Sequence, residues 1–193
     1  VPKLMSVVPL IFGAGLGAGA VYYASQNNLL GLGGKSGVCG VNRAVCMLNP
    51  DGGSGVSGKV EFESQGDKTK ISARVTGLKP GKHGFHIHQL GDLSMGCKSA
   101  KGHFNPFKKN HGGPSDSERH VGDLGNIVAD SNGVASVEMI EKLVCLNGVN
   151  SIIGRSIVVH AGEDDLGKGG FDDSLTTGHA GGRVACGVIG RGD

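Results

Sequence analysis

Apolar and polar residues alternate in short runs from Arg43 to the C-terminal end of the sequence. Alternation of this kind indicates strands with one buried face. Turn residues such as Asp130-Ser131-Asn132-Gly133 separate many of the runs. The predicted strands are Ala44–Leu48, Lys59–Ser64, Lys70–Val75, Gly84–Gln89, Leu124–Ala129, Ala135–Ile140, Ser156–His160 and Arg183–Ile189. Eight short strands with almost no helical periodicity predict an all-β fold, an antiparallel Greek-key barrel or sandwich.

Two connections between predicted strands are too long for hairpins. They run over residues 91–120 and 161–182. Loops of that length inside a compact domain are usually functional or held in place by cross-links. The first loop contains Cys97, His103, His111 and His120, with Asp123 just beyond it. Each of these residue types can anchor a loop through a disulfide or a metal ion.

The N-terminal part of the chain has a different composition. Met5–Ala24 is nearly all apolar, and there is no charged residue between Lys3 and Lys35. The segment is about as long as a membrane-spanning helix, but it also resembles a secretory signal with small residues near Gly19. A non-native leader is a third interpretation. Residues 25–40 are polar and glycine-rich, so we predict a leader and linker over 1–40 and one domain over 41–193.

Composition limits the possible functions. The 193 residues suffice for one domain with a proper core. The net charge is +2 and there is no run of Lys or Arg, which argues against a nucleic-acid partner. Membrane contact is expected only if residues 5–24 are retained as an anchor. The 37 glycines are far above the usual share and indicate many tight turns.

All eight histidines lie between residues 83 and 179, and none occurs before residue 83. His86 and His88 are two positions apart, so in a strand both imidazoles point to the same side. Three nitrogens and one oxygen, from His103, His111, His120 and Asp123, form a set that tetrahedral zinc accepts. The remaining nitrogen-rich set, His86, His88 and His160, suits copper.

Several segments resemble the copper/zinc superoxide dismutases, in order and without a large gap from about Arg43 to Gly190. They are Gly84-Phe85-His86-Ile87-His88, His103-Phe104-Asn105-Pro106, His111-Gly112-Gly113-Pro114, residues 119–126 (RHVGDLGN), Val158-Val159-His160, residues 164–170 (DDLGKGG) and residues 182–190 (GRVACGVIG). The resemblance implies dismutation of superoxide to O2 and hydrogen peroxide by one-electron cycling of copper.

The same resemblance implies a role for each candidate residue. The implied copper ligands are His86, His88, His103 and His160, and the implied zinc ligands are His103, His111, His120 and Asp123. His103 would bridge the two metals, and Asp164 would link His86 to His111. Arg183 would attract and orient the substrate anion. A disulfide between Cys97 and Cys186 is also implied.

Partners are implied as well. The family is commonly dimeric, through a patch that would include Gly91, Ile153, Gly154 and Ile189, and a copper chaperone is a further implied partner. Many relatives have a lysine where this chain has Thr176, which suggests that anion guidance is weaker or placed differently. The compartment stays open: secreted or membrane-anchored if residues 5–24 act as a signal or anchor, and cytoplasmic otherwise.

Two other functional classes compete with the enzyme. A non-enzymatic copper- and zinc-binding module, such as a chaperone domain, would not need an open copper site or Arg183. An adhesion protein could use the terminal Arg191-Gly192-Asp193, although a three-residue match is weak. His83 and His179 match no ligand position and are expected to be structural or solvated.

The remaining cysteines are not assigned partners. Cys46 and Cys145 fall in strand-like runs and are expected to be buried free thiols. Cys39 lies in the predicted linker, and it makes the number of cysteines odd.

Overall fold

The computed structural model of this chain describes residues 40–193. The predicted leader and all but the last residue of the predicted linker lie outside the described residues. Between residues 40 and 193, no helix is both long enough and apolar enough to cross a bilayer.

The described chain forms one antiparallel sheet of eight strands, with a ninth short strand and little helix. The strands are β1 (Arg43–Pro50), β2 (Ser57–Gln65), β3 (Lys68–Thr76), β4 (Gly81–His88), β5 (Ser94–Cys97), β6 (Asp123–Ala129), β7 (Ala135–Glu141), β8 (Ser156–His160) and β9 (Arg183–Gly192). A 3₁₀ turn spans Lys98–Ala100, and the single short helix among the described residues, α1, spans Ser174–Thr177.

The strand order β6-β4-β8-β9-β1-β2-β3-β7 wraps the sheet into a nearly closed barrel. Its first and last strands, β6 and β7, are joined by a tight turn in which Asp130 and Val134 pair. All eight predicted strands are confirmed, and most extend a few residues further than predicted. The all-β prediction therefore holds, while β5, the 3₁₀ turn and α1 were not predicted.

Alternate side chains fill the barrel. In β1, for example, Ala44, Cys46 and Leu48 are buried while Met47 is exposed. In β9 the inward residue is Ile189, which is completely buried, and the outward one is Val188. The prediction that Ile189 belongs to a surface patch is therefore wrong, because the period of two places its neighbour outside.

The four cysteines that the structure describes fall into three groups, while Cys39 lies outside the described residues. Cys97 and Cys186 form the predicted disulfide, across a sequence separation of 89 residues. Cys46 is buried, as predicted. Cys145 is exposed, so the prediction of a buried thiol there is wrong. It follows β7 in an irregular segment, where side chains do not alternate between two faces.

Candidate metal centre

Four buried histidines meet where the middle of the sheet faces the first long loop. His86 and His88 lie on β4, and His160 ends the neighbouring strand β8. His103 lies in the loop and its backbone pairs with that of His88. One ring nitrogen from each histidine lies within 4.8 Å of the corresponding atom of the others. We call this group of four the copper-side cluster.

The outer ring nitrogens of this cluster are hydrogen-bonded to acceptors. His88 Nδ1 lies 2.8 Å from the carbonyl oxygen of Lys101, and His160 Nδ1 lies 3.2 Å from that of Gly181. His86 Nε2 lies 2.8 Å from Asp164 Oδ2. Since these acceptors require an N–H, they fix the tautomer of each ring. The opposite nitrogens are left as free lone pairs, and those of His88 and His160 are 3.4 Å apart.

A second group surrounds one carboxylate oxygen, Asp123 Oδ1. The Nδ1 atoms of three histidines lie close to it: His103 at 2.8 Å, His111 at 3.0 Å and His120 at 3.1 Å. Donor atoms on a tetrahedral zinc ion are roughly 3.3 Å apart, given bonds of about 2.0–2.1 Å. The four atoms therefore have the spacing of a zinc ligand set. We call His103, His111, His120 and Asp123 the zinc-side cluster.

The outer atoms of the zinc-side cluster are also bonded. His111 Nε2 lies 2.8 Å from Asp164 Oδ1, and His120 Nε2 lies 3.0 Å from the carbonyl oxygen of Lys109. The backbone N–H of His120 donates to Asp123 Oδ2 at 2.8 Å. The two oxygens of Asp164 thus bond one histidine from each cluster.

His103 belongs to both clusters. Its Nδ1 faces Asp123, while its Nε2 is buried and has no hydrogen-bond partner among the described residues. His86 Nδ1 and His111 Nδ1 are also buried without such a partner. A buried polar atom left unpaired costs free energy. These three nitrogens all point into the clusters, so the residues fit two metal ions that share the imidazole of His103.

The protonation of the site follows from burial and from its two carboxylates. Burial lowers the pKa of His86 and His88 well below the usual value, and it lowers that of His160 to about 4. Burial also lowers the pKa of His111, but the adjacent carboxylates of Asp123 and Asp164 outweigh it and raise that pKa to about 9. The copper-side imidazoles are therefore neutral at pH 7, which is the form that binds metal.

Burial opposes ionisation of the two carboxyls, but the histidines around them dominate. They hold the pKa of Asp123 and of Asp164 well below the usual range. Both groups are therefore carboxylates at neutral pH.

Both long loops are fastened to the barrel near the site. The side chain of Asn126, on β6, donates to the carbonyl of Asp164 and accepts from its N–H, each at 2.8 Å. Arg119 donates to the carbonyl of Asp123 at 2.8 Å and forms a buried ion pair with Glu141 on β7 at 2.6 Å. Asn126 and Arg119 lie in a segment singled out from the sequence, but their roles depend on contacts that the sequence does not display.

Gly178 allows the second loop to pass close to the clusters. Its φ of +67° is in the region that favours glycine. A Cβ at this position would collide with Asp164 Oδ1 and His111 Nε2. Two residues later, Ala180 packs against Gly84 of β4, and the carbonyl of Gly181 holds His160. Residues 178–181 therefore cover the two clusters directly.

Arg183 lies beside the copper-side cluster at the start of β9, paired with His160. Its guanidinium donates to the carbonyl oxygens of Cys97 and Lys101, the latter at 2.6 Å. Lys101 therefore holds both Arg183 and His88 through one oxygen. Every residue has a backbone carbonyl, so the sequence could not reveal this role of Lys101.

The other singled-out residues are apart from the clusters. His83 is buried, and both of its ring nitrogens lie 2.8 Å from carbonyl oxygens, those of His160 and Lys79. His179 is exposed, paired with Asp173 and stacked on Phe171. Thr176 is exposed on α1. In the terminal motif, Arg191 and Gly192 are paired with β1.

Comparison with known proteins supports the conclusion that the two clusters fit metal ions. The family model for copper/zinc superoxide dismutase (SODC) matches residues 56–189, which include all seven residues of the two clusters. The chain belongs to the copper/zinc superoxide dismutase family. It is also 54% identical, over 149 residues, to the extracellular superoxide dismutase [Cu-Zn] of Brugia pahangi. That match covers 76% of this chain and 74% of the relative. The resemblance seen in the sequence is confirmed.

Proposed function

We propose that the two clusters are the metal sites of this copper/zinc superoxide dismutase. The copper ligands are His86, His88, His103 and His160. The zinc ligands are His103, His111, His120 and Asp123. The observation that carries the assignment is the position of His103, whose Nδ1 lies in one cluster and whose unpaired Nε2 lies in the other.

The reaction consumes two superoxide anions and two protons and yields one O2 and one hydrogen peroxide. A copper ion held by His86, His88, His103 and His160 would supply the one-electron redox chemistry of this reaction. Arg183 attracts the anion and fixes its orientation, since its guanidinium is always charged and is tied to two carbonyl oxygens. His103 Nε2 is the ring nitrogen able to hold a proton next to the reacting oxygen.

The zinc-side residues have a structural role in this proposal. They fix the Nδ1 side of His103 and gather one long loop around Asp123. Asp164 orients His86 and His111 together, through hydrogen bonds of 2.8 Å to each. Such outer partners set ring orientation and raise the basicity of the ligand.

The deciding experiment measures superoxide dismutation and metal content of the purified protein before and after copper loading, with a His160→Ala variant beside it. We expect activity in proportion to copper occupancy in the wild type and almost none in the variant. An inactive wild type with both metals fully bound would contradict the proposal and leave a non-enzymatic metal-binding module.

We also propose that the protein is a homodimer. On β1 and β9, Met47 and Val188 expose apolar side chains, with Leu90 exposed close by. Beside them, a Cβ at Gly91 would collide with the carbonyl of Gly154 and lie close to the side chain of Val188. Sedimentation of the wild type and of a Val188→Glu variant tests this, with Val128→Glu as the control because Val128 is exposed on β6. Only the Val188 variant is expected to be monomeric, and two monomeric variants or none would contradict the proposed face.

Secretion is the compartment we propose. It is supported by the likeness to an extracellular relative and by the disulfide, which is typical of oxidising compartments. The test is whether the full chain made in a eukaryotic cell appears in the medium, and retention inside the cell would contradict the proposal.

A copper chaperone is the remaining proposed partner, supported by the burial of the copper-side nitrogens. Copper content unchanged by deletion of cellular copper chaperones would contradict it.

A further inference from the structure

Two lysines lie on the turn that holds Arg183. Lys98 begins the 3₁₀ turn and Lys101 follows its last residue. The carbonyl oxygen of Lys98 is 3.4 Å from Arg183 Nη1, and that of Lys101 is 2.6 Å from Arg183 Nη2. Both lysine side chains are exposed. The side chains of Lys98 and Lys101 therefore branch from the stretch of backbone that holds the guanidinium of Arg183.

The charges of these two lysines are not neutralised by ion pairs. Within residues 40–193, ion pairs involve Lys59, Lys70, Lys82 and Lys168 but neither Lys98 nor Lys101. Asp51 interacts with Arg183, and Asp92 interacts with Lys101. Neither carboxylate forms an ion pair with Lys98 or Lys101 among the described residues, so both ammonium groups remain available to an approaching anion.

The backbone of Lys101 gives an independent reason to expect a function for its side chain. Its φ of 64° and ψ of −146° lie in a region that glycine adopts readily and other residues adopt at a cost. Glycine would satisfy the backbone, and its carbonyl would still hold His88 and Arg183. A lysine side chain is nevertheless present at this position. Strained residues of this kind are concentrated at functional sites.

The opposite loop lacks such charges. Helix α1 (Ser174–Thr177) contains no basic residue, and Lys168 of the same loop is paired with Asp116 at 3.1 Å. Compared with this loop, the 3₁₀ turn therefore carries more unpaired positive charge.

We propose that Lys98 and Lys101 guide superoxide to the copper-side cluster, as cations additional to Arg183. They act on the rate of encounter, since unpaired surface charges beside a site raise the local concentration of an oppositely charged substrate. This inference rests on the copper site proposed above. It assigns to the disulfide-side turn the guidance that Thr176 cannot supply.

The test measures the second-order rate constant of dismutation against ionic strength for Lys98→Gln, Lys101→Gln and the double variant. We expect the double variant to be about two- to fourfold slower than the wild type at an ionic strength of about 0.01 M. The difference should disappear near 0.3 M, where charges are screened within a few ångströms. Lys142→Gln, an exposed lysine beyond β7, makes the same charge change and should not alter the profile.

Two further experiments add a readout other than turnover. Azide, a small monovalent anion, should bind the copper-loaded double variant about twofold more weakly at low salt, as followed by the visible absorption of copper. A Lys101→Gly variant should raise the unfolding temperature of the metal-free protein, because it relieves the backbone, yet slow the low-salt reaction as Lys101→Gln does. If the side chain had only a structural role, this variant would be less stable.

Failure of the proposed function and failure of this inference would give different results. A wild type without activity at full copper occupancy would contradict the proposed function. An active wild type whose rate has the same salt dependence in all variants would overturn this inference alone.

Discussion

His88 and Arg183 donate hydrogen bonds to the same acceptor, the carbonyl oxygen of Lys101, at 2.8 and 2.6 Å. One residue is a proposed copper ligand and the other is the proposed anion guide. Their relative position is therefore set by a single backbone atom. The turn that carries this atom is held by the disulfide through Cys97.

Replacing Arg183 by lysine should separate its charge from its geometry. A lysine keeps the positive charge but cannot donate to two carbonyls in the fixed arrangement of a guanidinium. A hydrogen bond to a charged group contributes about 1.5–3 kcal/mol, so we expect kcat/KM to fall about tenfold in Arg183→Lys. Arg183→Gln, which also removes the charge, should fall further.

Copper content is the control for both Arg183 variants. It should stay within about twofold of the wild type, because Lys101 still holds His88. A loss of copper that matches the loss of activity would mean that Arg183 supports the metal site instead of guiding the anion.

Asp164→Asn should weaken both metal sites together. Asp164 accepts hydrogen bonds from His86 and His111 through its two oxygens, whereas an amide has only one oxygen. Loss of an outer partner of this kind typically costs 10- to 100-fold in metal affinity. Competition with a chelator measures this for copper and zinc separately. Asp172→Asn is the matched control, since Asp172 is exposed on the same loop. A change in only one metal would contradict a shared role.

Glu141→Gln should destabilise the protein and loosen the zinc-side cluster. The Arg119–Glu141 pair has side-chain exposures of 6% and 7%, so the variant leaves Arg119 buried without its counter-charge. Breaking a buried pair in this way costs about 3–5 kcal/mol. Denaturant unfolding measures the loss.

The paired measurement is Glu138→Gln on the same strand. Glu138 is 70% exposed and pairs with Lys70, and ion pairs exposed to solvent contribute little to stability. Similar losses in the two variants would show that burial of the Arg119–Glu141 pair is unimportant. Zinc affinity should fall only in Glu141→Gln, because Arg119 also binds the carbonyl of Asp123.

The metal-free protein should become less stable as the pH falls from about 6.5 towards 4. Unfolded histidine has a pKa of about 6.5. Burial lowers the pKa of His86, His88, His103 and His160, the last to about 4. In this range the unfolded chain binds more protons than the folded chain, and the free energy of unfolding therefore rises with pH.

His111 does not reverse this increase of the free energy of unfolding with pH. Its pKa is raised to about 9, so it is protonated in both states below pH 6.5. Urea unfolding after metal removal, at several pH values, measures the slope, and His160→Gln should make the slope shallower. A free energy of unfolding that is constant or rises on acidification would contradict the prediction.

The sequence revealed the strands because an alternating pattern such as that of Ala44–Leu48 directly reflects a sheet with one buried face. It was less informative where the pattern stops. The exposure of Cys145 and the short strand β5 depend on how irregular segments pack against the barrel. The prediction placed Ile189 in the surface patch, whereas its neighbour Val188 is the exposed residue. In a strand, a shift of one residue moves a side chain from one face of the sheet to the other.

The candidate site, like the fold, was predictable from the sequence only in part. The histidines could be found because imidazoles close together are uncommon in a sequence. The carbonyls of Lys101 and Gly181 could not, since every residue has one. The Arg119–Glu141 pair joins residues 22 positions apart that no local pattern connects.

The two proposed metal sites also differ in the parts of the fold that build them. His86, His88 and His160 lie on adjacent strands, so the barrel itself brings these three imidazoles together. Of the four zinc-side residues, three lie in the loop that leads to β6, and Asp123 is the first residue of that strand. A chain without metal can therefore assemble most of the copper side as it folds, whereas the zinc-side residues depend on the loop, which zinc orders together with the Arg119–Glu141 pair and a few hydrogen bonds. Amide hydrogen exchange should then slow in this loop when zinc binds and change little in β4 and β8, so that zinc completes the fold and copper enters a largely preformed site.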